Sequence, residues 1–278
     1  MAVVEADTRA EAVVDLLGAI YYGELSADDF MLFPEEDAEW EVAIEFEDES
    51  DIYWQQSYGG QDAFECLVRT ILSQNTSDKA SQPAHDELME RYGGGDLAVA
   101  LAETTHADLA ETIQTAGLYN QKAERIIAIA EEVVEEYGGE AAFDEFVKND
   151  DRDVVRDRLL EFGGVGPKTA DCVLLFSAGR NGVFPVDTHV HRIFRRLGIA
   201  PPDADHETVR EVLEEAVPPE KCGFGHTATI QFGRDYCSAR KPACLEGPEA
   251  CPLYDLCDRV GVDEIDGTAV DPSETIED

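Results

Sequence analysis

The spacing of hydrophobic residues along the chain predicts a series of short amphipathic helices. In the clearest segment, 121–137, apolar residues recur at helical intervals until Gly138 and Gly139 end the pattern. Comparable segments lie at 11–22, 63–72, 80–92, 107–116, 153–162 and 207–216. Strand-like alternation occurs at 41–47, in the N-terminal part. The pattern therefore predicts an all-α fold.

One stretch interrupts this pattern with glycines. Residues 162–167 read FGGVGP, which is too rich in glycine for a helix interior, and helical segments flank it on both sides. The stretch therefore predicts a helix-hairpin-helix. Gly164 and Gly166 permit positive φ and close backbone approach, so amide groups of the hairpin can point at a phosphate. Pro167 suits the first turn of the following helix, where a missing amide costs nothing.

A lysine, Lys168, directly follows this hairpin, and an aspartate, Asp187, lies nineteen residues further along the chain. Lys168 falls in the first turn of the second helix, near the positive end of the helix dipole, which favours the free amine over the ammonium form. Such surroundings suit a nucleophile. Asp187 follows a short apolar stretch and occupies a position where a helix N-cap is expected.

Four of the seven cysteines fall close together near the C-terminus: Cys237, Cys244, Cys251 and Cys257. Structural zinc sites usually contain a pair separated by two to four residues, and this set contains none. Four thiolates in a compact loop suit a [4Fe-4S] cluster, with zinc or unligated thiols as the alternatives. The other three, Cys66, Cys172 and Cys222, lie in apolar helical stretches and are expected to be buried.

Two segments, FGGVGPKTADCVL and VDTHVHR, together with the cysteines, resemble the endonuclease III family, the iron-sulfur branch of the helix-hairpin-helix DNA glycosylases. The resemblance extends from about Phe64 to Cys257. It implies that Lys168 and Asp187 are catalytic and that the four cysteines hold the cluster. The sequence departs from the family at Gly163, where proline is usual, and at Pro167, where arginine is often found. The middle cysteine interval is also longer than the usual two residues.

The resemblance also implies DNA contacts. An amide side chain in the turn at 71–78 fills the gap left by an extruded nucleotide in the family; Asn75 aligns best and Gln74 is its neighbour. Capping of a helix end is the alternative role for this amide. Further DNA contacts are expected at the hairpin and beside the cysteines, namely Gly164, Val165, Gly166, Thr169, Arg234 and Arg240. The basic pair near the cysteines has the alternative role of neutralising the cluster.

Three further positions are interpreted as structural. The 117–123 segment also matches the family and is interpreted as a helix start, with Asn120 as its cap. His189 and His191 form a His-x-His pair that raises the possibility of a metal site. We favour a structural role, in which His189 orients the start of the helix.

The resemblance supplies the domain boundaries, because no linker composition separates domains. We expect two helical domains with the active-site cleft between them. The central six-helix domain with the hairpin spans 60–180, and the iron-sulfur domain spans 181–260. Residues 1–59 are expected to form an acidic extension whose helix docks on the second domain, and 261–278 an acidic tail.

The chain is strongly acidic, with 61 acidic against 21 basic residues and a net charge of -40, which by itself argues against a nucleic-acid partner. Residues 160–241 include 10 basic and 11 acidic side chains, so nearly all of the net negative charge lies outside the proposed DNA-reading part. An acidic coat of this kind is typical of proteins that work in molar salt, where charges are screened within about 3 Å. An acidic protein that binds basic partners is the alternative.

Together these features predict a base-excision-repair DNA glycosylase with abasic-site lyase activity that acts on double-stranded DNA, with oxidised pyrimidines as expected substrates. The alternatives are a monofunctional mismatch or uracil-type glycosylase and a non-enzymatic DNA-binding or iron-sulfur protein. No signal-like leader or membrane-spanning apolar run is visible, so we expect a cytoplasmic monomer without a membrane partner.

Overall fold

The computed structural model describes residues 2–22, 31–34, 40–44 and 58–276. Twelve α-helices occur in this part of the chain: α1 (Arg9–Tyr22), α2 (Ala63–Ser73), α3 (Asp78–Tyr92), α4 (Leu97–Ala102), α5 (His106–Thr112), α6 (Tyr119–Tyr137), α7 (Glu140–Asn149), α8 (Arg152–Glu161), α9 (Pro167–Phe176), α10 (Thr188–Arg196), α11 (His206–Ala216) and α12 (Cys222–Asp235). The strands are β1 (Ala2–Ala6), β2 (Met31–Pro34), β3 (Trp40–Ile44), β4 (Val262–Asp263) and β5 (Thr268–Ala269). The all-α prediction is confirmed.

The chain divides into two compact units. The first, Ser57–Arg180, contains α2 to α9 and is purely helical within the described residues. The second combines Met1–Gln56 with Asn181–Asp278 and contains α1, α10 to α12 and all five strands. Lys168 belongs to the first unit, whereas Asp187 and the four clustered cysteines belong to the second.

All seven helices predicted from hydrophobic spacing are present, with shifts of one or two residues at their ends. The segment 107–116 differs more, because α5 is shorter than predicted. It ends at Thr112, and a single 3-10 turn, Gln114–Ala116, follows. The helix at 119–137 is not capped by Asn120 as predicted. It begins one residue earlier, its N-cap is Leu118 in a left-handed conformation, and the Asn120 carbonyl is bonded to the His106 ring instead.

Helix α12 was missed because its sequence, CGFGHTATIQFGRD, contains three glycines. Two of these glycines are packing positions. A Cβ at Gly225 would lie 3.0 Å from atoms of Phe184 and Val14, and one at Gly233 would lie 3.0 Å from the Cβ of His189. The glycines therefore let neighbouring side chains approach the helix closely, at the usual cost in helix propensity.

In the second unit, α12 packs against both α1 and α10. A buried ion cluster fixes α1 in this unit, because Lys221 donates to Glu11 at 2.6 Å and to Asp15 at 2.8 Å. Burial opposes the charge on this lysine, but the two carboxylates prevail and raise the pKa of Lys221. Removal of one partner from such a cluster strongly destabilises the fold, because the remaining charges stay buried without full compensation.

The N-terminal part also contains a three-stranded antiparallel sheet in the order β1-β3-β2. The strand-like pattern at 41–47 overlaps β3, and positions 45–47 lie outside the described residues. Strands β1 and β2 were not predicted from the sequence. Within the described part of the chain, no helix is both long and apolar enough to cross a membrane.

Candidate active site

The glycine hairpin joins α8 to α9 as predicted. Pro167 is the first residue of α9 and Lys168 the second. Gly164 adopts a φ of 85°, in the left-handed region that favours glycine. Gly166 has a φ of -103° and caps α9 with an extended backbone. The expectation of positive φ is therefore confirmed for Gly164 and wrong for Gly166.

The hairpin residues expected to contact DNA differ in exposure. Gly164 is exposed, and a Cβ at Gly166 would meet no atom within 4 Å, so the backbone is open to solvent at that point. Val165 is buried, and its amide closes the turn by donating within the hairpin. Thr169 is also buried, and it is bonded to the side-chain amide of Gln74 at 3.2 Å. The DNA-binding roles of these residues stay predictions.

Lys168 lines a pocket of about 310 Å³ that lies within the unit Ser57–Arg180. Apart from Lys168, its polar lining consists of Gln61, Arg69, Thr70, Ser73, Ser81, Gln82 and His85. Burial lowers the pKa of His85, which favours the neutral imidazole, and burial raises the pKa of Cys66 to about 12, which keeps its thiol protonated. Most of the hydrogen-bonding groups around this lysine are therefore neutral.

Two exposed residues of the same unit adopt strained left-handed conformations. Asn75 has a φ of 52° and Leu118 a φ of 47°. Leu118 is 55 % exposed, although its side chain is large and apolar. Gln74, by contrast, is turned inward and donates to the Gly164 carbonyl at 3.2 Å. Strain at exposed non-glycine residues is typical of functional sites, and of the two adjacent amides only Asn75 stands free of the hairpin.

A buried lysine, Lys122, connects the turns that carry Asn75 and Leu118. Its ammonium donates to the Leu72 carbonyl at 2.7 Å, and to the Thr76 hydroxyl and Ala116 carbonyl at 2.8 Å each. The side chain is 2 % exposed, and burial, with the nearby Arg125 as a second cause, lowers its pKa to about 8. The sequence interpretation missed this residue, because nothing in its local spacing distinguishes it from a surface lysine.

Asp187 caps α10 as predicted, accepting from the amides of His189 at 2.8 Å and Val190 at 2.9 Å. His189 packs against α12 and its Nδ1 is 3.2 Å from an Arg192 nitrogen. The ring of His191 stacks on His206 with centroids 3.9 Å apart, and its Nε2 is bonded to a backbone carbonyl. Both histidines therefore have structural contacts of their own.

The four clustered cysteines line one small, almost entirely apolar cavity. Burial raises the pKa of Cys251 to about 12 and that of Cys257 to about 11, and it also raises that of Cys244. Within the described residues no group of three or more His, Cys, Asp or Glu side chains is arranged to hold a single metal ion. Four sulfurs around one apolar cavity nevertheless suit a multi-atom cluster, whose iron ions would stabilise the thiolate forms.

Arg196, which the sequence interpretation did not single out, makes a direct contact with this cysteine loop. Its guanidinium is buried and lies 3.4 Å from the Cys237 sulfur, and it also donates to two backbone carbonyls of the loop. Arg192 donates to the Cys237 carbonyl at 2.8 Å. Arg234 and Arg240, the arginines predicted near the cysteines, have exposed side chains. Their role in DNA binding stays a prediction.

Comparison with known proteins identifies the class to which this fold and these residues belong. Residues 68–219 match the family model of the HhH-GPD superfamily base excision DNA repair protein. Endonuclease III of Thermotoga maritima is 35 % identical over 197 residues, which cover 71 % of this chain and 83 % of the relative. Endonuclease III of Escherichia coli is 34 % identical over 195 residues, covering 70 % and 83 %.

Solved structures agree with this classification. A trapped covalent intermediate of endonuclease III with DNA has a TM-score of 0.61 and 30 % identity, covering 73 % of this chain and 86 % of that one. A thermostable thymine-DNA glycosylase has a TM-score of 0.65 over 90 % of this chain and 96 % of that one, but its 22 % identity shows the fold alone. The protein is thus a helix-hairpin-helix base excision repair protein. Within that class, the chain belongs to the endonuclease III family.

Proposed function

We propose that Lys168 is the nucleophile of a base excision reaction on DNA. Membership of the endonuclease III family makes the chain a DNA glycosylase and abasic-site lyase that acts on DNA. The observation that carries the assignment to Lys168 is its place directly after the hairpin, lining a pocket whose other walls are mostly neutral polar groups. A mismatch glycosylase without lyase activity would not need an amine at this position.

The chemistry follows from an amine and a carboxylate acting on one nucleotide. The free amine of Lys168 attacks C1′ of the damaged nucleotide, and the C1′–N bond to the base breaks. Asp187 stabilises the positive charge that develops on the sugar and accepts a proton from the attacking amine. The proton held by Asp187 passes to the ring oxygen as the C1′–O4′ bond breaks, which opens the sugar and leaves a protonated Schiff base that acidifies the C2′ hydrogen. Loss of that proton expels the 3′ phosphate and cleaves the strand.

The pocket beside Lys168 is proposed to receive the extruded base. A volume of about 310 Å³ is ample for a pyrimidine ring. Its amide and hydroxyl groups can bond the ring carbonyls and added hydroxyls of an oxidised pyrimidine, which agrees with the substrate class expected from the sequence. Neutral His85 lies in the wall and can either donate or accept.

The two strained, exposed residues are proposed to occupy the space that the extruded nucleotide leaves. Extrusion of a base costs a few kcal/mol, part of which is recovered when protein groups fill the gap. Asn75 can bond the orphaned partner base, and the apolar side chain of Leu118 can stack against the neighbouring bases. Lys122 holds the turns that carry both residues.

We also propose that Cys237, Cys244, Cys251 and Cys257 hold a [4Fe-4S] cluster. The supporting observation is that all four line one apolar cavity despite the long middle interval. When bound, the cluster would replace four thiols by iron–thiolate bonds and fix the loop. The side chain of Arg196 would lie beside one ligand and partly offset its negative charge. A cytoplasmic location and an origin in high salt stay predictions.

Borohydride trapping tests the lysine chemistry. The protein is incubated in concentrated KCl with a labelled duplex that contains one abasic site, and the mixture is reduced. A covalent complex is expected with the wild type and not with Lys168→Ala. The variant should still bind an uncleavable abasic-site analogue, which shows that loss of trapping is not loss of folding. A wild-type protein that binds the analogue without being trapped would contradict the assignment.

The matched control is Lys148→Ala. Lys148 lies on α7 in the same unit and pairs with Asp144 at 2.7 Å, and it has no proposed contact with the nucleotide. Its loss should leave the trapped yield unchanged. An equal fall in trapping for both variants would show a nonspecific effect of charge on DNA binding, and it would remove the support for Lys168 as nucleophile.

A further inference from the structure

An arginine from another helix lies against the hairpin glycine Gly164. A Cβ on Gly164 would be 2.6 Å from Cδ of Arg125, 2.8 Å from its Nε and 3.1 Å from its Cζ. Contacts this short mean that the stem and guanidinium of Arg125 lie directly on the hairpin backbone, in space that only a glycine leaves open. Arg125 is on α6 and is exposed, so its charge is presented to solvent beside the hairpin.

Arg125 has no ion-pair or hydrogen-bond partner among the described side chains, although the chain contains 61 acidic residues. The residues three and four positions away on α6 are Gln121, Lys122, Ala128 and Ile129, so no helical ion pair is available. The other arginines of this unit each donate to a carboxylate, amide or backbone oxygen: Arg69, Arg91, Arg152, Arg156, Arg158 and Arg180. An arginine left without an acid in so acidic a protein indicates an external anion.

We propose that Arg125 binds a backbone phosphate of DNA at the hairpin. The inference rests on the proposed function, since it assumes that the hairpin contacts DNA. A guanidinium fork matches phosphate geometry with two parallel hydrogen bonds. The hairpin beside it is open at Gly166, whereas the proline at 167 offers no side-chain donor. Arg125, on helix α6, thus supplies the cation that the proline at position 167 cannot.

Binding of a duplex with an uncleavable abasic-site analogue, measured over a KCl series, tests this proposal. Arg125→Gln should weaken binding about fivefold to tenfold and reduce the slope of log K against log salt by about 1, the value for one lost phosphate contact. The matched control is Lys148→Gln, which removes the same charge from the same unit but from a lysine already paired with Asp144. It should change the slope much less.

A second comparison tests whether an arginine at position 167 can replace Arg125. In the Arg125→Gln background, Pro167→Arg should restore most of the lost affinity and the lost unit of salt slope. Failure of this second change to restore binding would overturn the idea that Arg125 replaces a donor at 167. Equal slopes for wild type, Arg125→Gln and Lys148→Gln would overturn the phosphate contact itself, provided that thermal melting shows each variant folded.

If Lys168 were not the nucleophile, the binding assay and the borohydride trapping would give different answers. The binding assay uses an analogue that cannot react, so it does not depend on Lys168 as a nucleophile. A protein whose binding depends on Arg125 but which forms no borohydride-trapped complex would support the phosphate contact and contradict the catalytic assignment.

Discussion

Replacement of the buried Lys122 by methionine provides the sharpest test of how the site is held together. The change keeps most of the side-chain volume but removes an ammonium group with three acceptors. The Leu72 carbonyl lies in the last turn of α2, where a carbonyl has no helical partner. Leaving it buried and unpaired costs about 1–3 kcal/mol, and the bond lost at Ala116 adds about 1 kcal/mol.

Lys122→Met should therefore lower the free energy of unfolding by about 2–4 kcal/mol. Thr76 limits the loss, because its hydroxyl also bonds the Ala116 carbonyl and remains in the variant. The measurement is denaturant unfolding at fixed KCl, with Lys148→Met as the control. Lys148 is a partly exposed lysine in an ion pair, and its loss should cost no more than about 0.5 kcal/mol.

The same lysine predicts a pH dependence. The pKa of Lys122 falls from its ordinary 10.5 to about 8 in the folded protein. Between these values the unfolded chain binds more protons than the folded one, so stability contributed by this group rises with pH. The difference in unfolding free energy between wild type and Lys122→Met should thus be constant below about pH 8 and grow above it. A loss below about 1 kcal/mol at pH 7, or a difference that shrinks above pH 8, would refute the reasoning.

Three further results are expected. Gly164→Ala should weaken DNA binding, with little change in iron content, because a side chain at a φ of 85° is strained and would displace Arg125; wild-type affinity would contradict this. Lys221→Met should lower the unfolding free energy by about 3–5 kcal/mol, because it leaves two carboxylates buried without a cation; chemical denaturation measures it, and a neutral result would show that the cluster is not essential. Cys251→Ser should abolish the visible absorption and iron content of the purified protein, whereas Cys222→Ser should keep both; iron retained in the first variant would exclude Cys251 as a ligand.

Much of the fold and part of the site could be predicted from short-range features of the sequence. The helical periods at 121–137 and six other segments are local properties, because a helix with one apolar face is set by spacing of three and four residues. The same is true of Pro167 at the start of α9 and of Asp187 as a helix cap, where one side chain bonds backbone groups two and three residues away. The catalytic roles of Lys168 and Asp187 and the cluster-binding role of the four cysteines come instead from the resemblance to the family, and they stay predictions.

Other features depend on contacts between distant parts of the chain. Lys122 has the sequence environment of a surface lysine, and only the packing of two turns on α6 buries its ammonium group. Arg196 resembles the arginine before it, yet it alone of the two reaches the sulfur of Cys237. The glycines of α12 weaken its helical pattern, but in the folded unit they admit Phe184 and His189. Such positions cannot be predicted from local spacing.

The helical elements and the hairpin can be read from the amino-acid sequence alone, because they follow from spacing and from the backbone preferences of glycine, proline and capping residues. Burial, exposure and the contacts of each polar group follow only from the folded chain. Folding placed Asn75 outward and Gln74 inward, although the two are neighbours in the chain. It also laid Arg125 on Gly164, 39 positions further along the chain. The physical reason is that burial and hydrogen-bond satisfaction depend on the positions of all surrounding groups.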